Sequence, residues 1–202
     1  MGLRERKKQE TRAALSWAAI RLIVERGYDR VLVEDIANEA GVSPRTFNNY
    51  FGGKAEAVAS RHLDRMQRMA DTLRERPAGE PLWEAITHAM IEQYRPGPEV
   101  TAHPRPDPDA WTAGLRLMFE VPAIQAATLR AAAQAAEAVA AAVGARTGTD
   151  PAGDMYPNLV AAAALAAEDV VRRVFMTTHQ GIDVLITDAL QQISAGLPPP
   201  SH

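Results

Sequence analysis

The stretch EAGVSPRTFNNYF, residues 39–51, sets two kinds of side chain on one short segment. Gly41 can end a preceding helix in a backbone conformation that side chains resist. Ser43 can cap the next helix, and Pro44 stands at a first helical position, where its missing N–H costs nothing. Phe47, Tyr50 and Phe51 then fall at i, i+3 and i+4 on one helical face, while Arg45, Asn48 and Asn49 repeat that spacing on the other. The aromatic face must pack inward, which leaves a guanidinium and two carboxamides facing out.

Working outward, almost every segment reads as helix. Val33 to Ala40 carries Ile36, Ala37 and Ala40 on one face, with Glu34 and Asp35 in its first turn, where the helix dipole favours anions. Leu15, Ala18, Ala19, Leu22 and Ile23 repeat at helical spacing and predict a first helix of roughly residues 6–26, stopped at Gly27. Gly52 and Gly53 close the short helix after about two turns, and a longer helix runs from about Lys54 through RMQRMADTLRER. Pro77 and Gly79 break the chain, and residues 81–94 resume with Leu82, Ile86, Met90 and Tyr94 at spacings of four. Five prolines in PGPEVTAHPRPDP, 96–108, predict a loop rather than a regular helix.

Helices over Trp111 to Phe119, Pro122 to about Val143, Tyr156 to about His179 and Ile182 to Ala195 complete nine. Thirteen alanines between 123 and 145 suit both helix propensity and close backbone approach. No alternating strand pattern appears, so the fold is expected to be all-α, in two domains: a helix-turn-helix domain over 1–54 and a helical domain over 55–202. The PPPSH tail is expected to be disordered.

Composition limits the function classes. With no cysteine there is no disulfide framework, no thiolate zinc site and no cysteine nucleophile. The chain carries no G-x-S-x-G, P-loop, H-E-x-x-H or dinucleotide fingerprint, and His88, His103 and His179 are too scattered for a short-spaced metal site. The expectation is therefore a protein that is not an enzyme and needs no cofactor or metal. The longest apolar run, LVAAAALAA at 159–167, falls far short of the roughly 20 residues needed to span a bilayer. The start, MGLRERKKQETRAAL, lacks a secretory signal's apolar core, so a cytoplasmic protein without a membrane partner is expected. Net charge is −3, yet residues 1–60 hold ten Lys/Arg against eight Asp/Glu, and the remainder twelve against seventeen. That sign places any phosphate near the N-terminus.

A helix, a tight turn on Gly41 and a second helix with a donor-rich outer face form a helix-turn-helix arrangement, in which the second helix enters the major groove. Arginine can pair bidentately with guanine, and asparagine with adenine. The plainer alternative is a solvated face on a domain that never touches DNA.

Residues 12–58 resemble the N-terminal domain of the TetR family of bacterial transcriptional regulators. The match rests on Ala18-Ala19, the ERGY of Glu25 to Tyr28, IA-x-x-AGVS from Ile36 to Ser43, Thr46, Tyr50-Phe51 and Lys54. The resemblance implies a homodimer on a palindromic operator in double-stranded DNA, and a small-molecule effector pocket in the C-terminal domain whose occupation releases DNA. Carried across residue by residue, it makes Arg45, Asn48 and Asn49 the base-edge candidates. Thr46 and Tyr50 become phosphate or sugar contacts, and Lys54 a phosphate contact at the start of the fourth helix. Asn48 stands where the family usually has an aromatic residue, and Val31 and Leu32 where it usually has threonine, which removes the usual cap of the second helix and a possible phosphate contact. The basic segment Arg4, Arg6, Lys7 and Lys8 reads either as plain solubility or as a reach to the DNA backbone.

In the C-terminal part, Trp83, Met90, Tyr94, Trp111, Leu115, Met118, Phe119, Met155, Phe175 and Met176 are candidates to line a cavity between helices; the alternative is that they are core. The stretch RLMFEVPAIQAATL, 116–129, is similar to the sub-branch of the family that includes the regulator of the mycofactocin system, and this implies a bulky, partly apolar effector. Glu168-Asp169 beside Arg172-Arg173 reads as a charge-paired helix face, with an anion-gripping arginine as the alternative. Residues 159–167 and the stripe Ile182, Leu185, Ile186, Ala189, Leu190 and Ile193 suit a four-helix dimer interface, or equally the monomer's own core. The leading expectation is a ligand-responsive repressor. The alternative is a small-molecule-binding or interaction protein that keeps the fold and binds DNA weakly or not at all.

Overall fold

The computed structural model describes residues 2–103, 107–178 and 180–198. The fold is all-α, as expected, with ten α-helices among those residues: α1 (Leu3–Arg26), α2 (Val33–Glu39), α3 (Pro44–Asn48), α4 (Lys54–Glu75), α5 (Leu82–Glu92), α6 (Pro98–Ala102), α7 (Pro108–Glu120), α8 (Pro122–Thr147), α9 (Met155–Phe175) and α10 (Ile182–Ser194). A 3-10 turn, Tyr28–Arg30, joins α1 to α2.

The tenth helix is α6, inside the proline-rich stretch expected to be a loop. Pro98 occupies the first turn of α6, where proline does not oppose a helix, and the Gly97 carbonyl accepts from the N–H groups of Val100 and Thr101, each at 3.1 Å. The next helix begins early for a related reason. The Asp107 carboxylate accepts from the N–H of Asp109 at 2.9 Å and of Ala110 at 3.4 Å, so α7 starts at Pro108 instead of Trp111. At the other end of the chain α1 starts at Leu3, which makes Arg4 to Lys8 part of a helix. The tail from 199 onward and His179 lie outside the described residues.

The chain gathers into two compact units, each built from two stretches: Met1–Leu63 with Pro96–Ala131, and Asp64–Arg95 with Ala132–His202. In the first, Leu15, Ala19, Leu22 and Ile23 of α1 pack with Val31, Ile36, Ala37, Phe47 and Phe51 in one buried cluster. Burying each large side chain in such a cluster contributes about 1.5–3 kcal/mol of transfer free energy. Helix α7 closes the cluster, its Trp111 ring 5.2 Å from the Trp17 ring. Gly114 permits the approach of α7 to α1, since a Cβ there would stand 2.6 Å from Val24 Cγ1 and 2.8 Å from the Val24 carbonyl oxygen.

In the second unit, α10 packs on α5 and α9. Ala85, Ile86, Ala89 and Met90 of α5, Val160, Ala161, Ala164 and Val171 of α9, and Leu185, Ile186 and Leu190 of α10 are buried. The turn between α4 and α5 is clamped by Arg146, whose guanidinium donates to the carbonyls of Arg76, Pro77 and Glu80 at 3.1, 2.6 and 2.6 Å.

Candidate nucleic-acid interface

The α2–turn–α3 segment is folded by local chemistry. Gly41, at φ 68°, takes the left-handed conformation that ends α2, and its N–H bonds the Asn38 carbonyl at 3.0 Å while that of Val42 bonds Ala37 at 2.9 Å. Ser43 Oγ then accepts from the Thr46 N–H at 3.1 Å and caps α3, with Pro44 at the first turn.

Helix α3 is five residues long by its α-helical bonds, shorter than the expected two turns, but turn bonds carry its rotation on: Asn49 N–H to the Arg45 carbonyl at 3.2 Å and Phe51 N–H to Phe47 at 3.0 Å. The three-and-four register therefore holds from Arg45 to Phe51. Phe47 and Phe51 are buried with ring centroids 5.6 Å apart, and Tyr50 packs half-buried beside them. Arg12 of α1 lays its guanidinium 4.7 Å above the Phe51 ring. On the opposite side Arg45, Asn48 and Asn49 are exposed.

Of the remaining nominated residues, Thr46 is half-buried, with its hydroxyl 2.9 Å from Ser43 Oγ. Lys54 is placed in a way the sequence does not signal. Its ammonium donates to the main-chain carbonyls of Tyr28 at 2.6 Å and Val31 at 2.8 Å and sits 4.1 Å over the Tyr28 ring. Two of its three protons are thus given to the turn between α1 and α2. Burial, with Asp29 beside it, raises the Tyr28 hydroxyl above its usual range.

Val31 is wholly buried, so an apolar residue at that position belongs to the core. Leu32 is 60% exposed and offers no cap, but its N–H is satisfied by Asp35 Oδ2 at 2.9 Å. The missing side-chain cap of α2 is thus partly offset by its third residue.

The ten residues nominated for an effector pocket fall into both units. Trp111, Leu115, Met118 and Phe119 pack in the cluster around α1. In the second unit Met90 is fully buried, Trp83 and Met176 are half-buried, and Met155 and Phe175 at the two ends of α9 are 74% and 37% exposed. Tyr94 donates its hydroxyl proton to the carboxylate of Glu168, a residue expected on a helix surface but 1% exposed. Arg65 lies 4.1 Å over the Tyr94 ring. Asp169 of the acidic pair joins Arg172 and Arg173 in ion pairs, as expected. A cavity of about 130 Å³ lies in the first unit, walled by Trp17, Arg21, Glu39 and Glu99 among others, and none of the ten lines it.

Among the described residues no helix is long and apolar enough to cross a membrane.

Comparison with known proteins agrees with this geometry. Residues 17–59 match the family described as "Bacterial regulatory proteins, tetR family", and residues 80–198 match "MftR C-terminal domain". The HTH-type transcriptional regulator TcmR of Streptomyces glaucescens is 31% identical over 175 residues, covering 85% of this chain and 76% of TcmR. The HTH-type transcriptional regulator BetI of Brucella anthropi is 52% identical over 48 residues, 23% of this chain and 25% of BetI. The fold is similar to that of the fatty acid degradation regulator FadR from Bacillus halodurans, at a TM-score of 0.56 and 18% identity over 93% of this chain and 96% of FadR. It is also similar to SmeT, the repressor of the Stenotrophomonas maltophilia multidrug efflux pump SmeDEF, at a TM-score of 0.52 and 18% identity over 95% and 97% of the two chains. With both of its parts matched and TcmR aligned along most of its length, the chain belongs to the TetR family of bacterial transcriptional regulators, DNA-binding proteins of the helix-turn-helix type that are not enzymes.

Proposed function

We propose that the chain is a ligand-responsive repressor that binds a palindromic operator as a homodimer and is released by a bulky, partly apolar small molecule. The observation that carries the reading is the two-sided segment 45–51: Phe47 and Phe51 are buried while Arg45, Asn48 and Asn49 stand exposed beside a turn built on Gly41. Arg45, Asn48 and Asn49 read base edges; Thr46, Tyr50 and the remaining proton of Lys54 meet the sugar–phosphate backbone. Residues 1–54 supply the DNA-binding function, and residues 55–202 effector binding and dimerisation.

Burial on α9 and α10 supports the dimer. The apolar stripe of α10, Leu185, Ile186 and Leu190, is used inside the chain, yet Leu159 and Val170 of α9 and Val184 of α10 remain 58%, 46% and 57% exposed. A second copy covering them makes an isologous four-helix contact. The match of residues 80–198 to the MftR C-terminal domain and the apolar candidates of the second unit, Trp83, Met90, Tyr94, Met155, Phe175 and Met176, support an apolar effector. Effector binding acts by preferring a conformer in which the two α3 segments no longer match half-sites about one DNA turn apart.

A second reading, a protein that keeps the fold and binds DNA weakly, is favoured by Lys54, which spends two donors on protein, and by exposed Leu32 at the start of α2. A mobility-shift assay with the promoter region of the chain's own gene separates the two. A discrete, sequence-dependent complex supports the repressor; binding to promoter and random duplex alike overturns it.

A further inference from the structure

The cavity of about 130 Å³ lies wholly within the first unit. Ala14 and Ala18 of α1 and Ala40 at the end of α2 give it an apolar lining, and their small side chains leave space that larger ones would fill. Trp17 and Arg21 of α1, Glu39 of α2 and Glu99 of α6 supply its polar chemistry. The volume approaches the roughly 150 Å³ of an apolar cavity that holds benzene, which sets the occupant at about six non-hydrogen atoms.

Trp17 and Arg21 stand four residues apart, on one side of α1. Each holds a buried N–H, at the indole Nε1 and the guanidinium Nε, that meets no acceptor among the described residues. Trp17 is only 6% exposed, so its donor is withdrawn from bulk solvent without a partner in the protein, an arrangement that folding disfavours unless something else accepts. The full charges of the same wall are already answered. Arg21 pairs with Glu39 and, at 3.6 Å, with Glu25, while Glu99 takes Arg61 Nη1 on its Oε1 at 2.9 Å. A bound anion would face these carboxylates with both guanidiniums committed, and a bound cation would have to displace one of them. Glu99 Oε2 accepts no hydrogen bond among the described residues, which leaves an acceptor beside the two donors.

We propose that this cavity binds a small neutral amide. Its apolar body lies against the three alanines, its carbonyl oxygen accepts from the Trp17 indole N–H and the Arg21 Nε–H, and its own N–H donates to Glu99 Oε2. The site is separate from the effector pocket proposed for residues 55–202 and stands independently of it. Since Glu39 and Ala40 end α2 immediately before Gly41, the occupant joins α1 and α6 to the helix that leads into the turn.

The probe is isobutyramide, titrated into the full chain and followed by proton–nitrogen correlation spectra. The indole resonance of Trp17 is assigned by its loss in Trp17→Phe. Two molecules of the same shape serve as comparisons: 3-methyl-2-butanone, which lacks the donor, and isobutyrate, which is charged. A saturable shift of the Trp17 indole resonance is expected, in the millimolar range that suits so small a ligand. The amide should bind about 3- to 10-fold more tightly than the ketone, the worth of one hydrogen bond, and isobutyrate should bind most weakly. Ala14→Leu, at a half-buried position, fills the cavity and should abolish binding, as read at the Trp17 indole and the Ala40 and Gly41 amides. Trp17→Phe should weaken it at those amides, and Trp83→Phe in the other unit should leave it unchanged. Absence of a saturable shift overturns the site and means that water alone answers the two donors. Equal affinity in wild type and Ala14→Leu places the probe elsewhere and overturns it too, and isobutyrate binding as tightly as the amide overturns the assigned chemistry.

Discussion

Lys54 and Tyr28 are joined twice, by the ammonium donating to the Tyr28 carbonyl at 2.6 Å and by its seat 4.1 Å over the same residue's ring. With the bond to the Val31 carbonyl at 2.8 Å, this locks the start of α4 to the turn that precedes α2. Lys54→Met keeps the stem and removes the charge, leaving two half-enclosed carbonyls without a charged donor. The expected cost is about 1–3 kcal/mol of unfolding free energy, read from urea or thermal denaturation. A variant as stable as wild type, with only DNA affinity reduced, would show that Lys54 serves phosphate and not the fold.

Arg45→Ala is expected to behave oppositely. An exposed residue costs little stability, within about 0.5 kcal/mol, but loss of a base-edge contact should cost about 1–3 kcal/mol on a selected duplex and relax discrimination at one base pair. Anisotropy titrations on the selected duplex and its single-base variants check this. Equal losses on selected and random DNA would move Arg45 from base reading to phosphate binding.

The contrast between these residues shows what a single sequence discloses. Arg45, Asn48 and Asn49 are legible because helical spacing assigns faces, and Phe47 with Phe51 names the face that must be buried. Lys54 is not, since its acceptors are main-chain carbonyls 23 and 26 residues away that no residue type marks. Helix α6 escapes because counting prolines ignores position, and Pro98 stands where proline starts a helix. The apolar set from Trp83 to Met176 is legible as apolar only: periodicity says which side of a helix turns inward, but not that Trp111 will meet Trp17 while Met90 packs in the other unit. Glu168 reads as surface charge until Tyr94, 74 residues earlier, arrives to hold it.

Gly114→Ala tests the crossing of α7 and α1. Its methyl would fall 2.6 Å from Val24 Cγ1 and 2.8 Å from the Val24 carbonyl oxygen, and the second contact involves backbone, so the helices must separate. Overpacking of this kind costs about 1–3 kcal/mol. Adding Val24→Ala removes the side-chain clash only, and the double variant should recover part of the lost thermal stability. Full recovery, or no loss in the single variant, would mean that the helices adjust freely.

Tyr94→Phe tests the buried carboxylate. Burial raises the Tyr94 hydroxyl far above its ordinary value, with Arg65 opposing the rise and Glu168 adding to it, so the proton stays on tyrosine and is donated to Glu168. Removing the hydroxyl leaves Glu168 with the Arg65 guanidinium at 3.9 Å and a lone pair deprived of its donor. A loss of about 1–3 kcal/mol is expected. Glu168→Gln, which keeps an acceptor for the hydroxyl, should cost less. The reverse order in chemical denaturation would assign the stabilisation to charge pairing with arginine.

Acid stability should report Glu80. Its carboxylate accepts from Arg76 Nε at 2.7 Å and lies 2.8 Å from His88 Nδ1; the Arg76 hydrogen bond is the larger influence, and together they hold the group at about 2, below its ordinary 4.5. A carboxyl whose folded value is depressed favours the folded state above the unfolded value and ceases to do so as it protonates in both states. The contribution is therefore complete above about pH 4.5 and fades as pH falls toward about 2. Glu80→Gln should lower the melting temperature at neutral pH and converge on wild type near pH 2, flattening the acid limb of the profile between those values. The side chain borders solvent, and salt should shrink the difference by screening the ion pair. A melting-temperature gap that persists unchanged from neutral pH to the acid end would mean that Glu80 holds the α4–α5 corner by shape and not by charge.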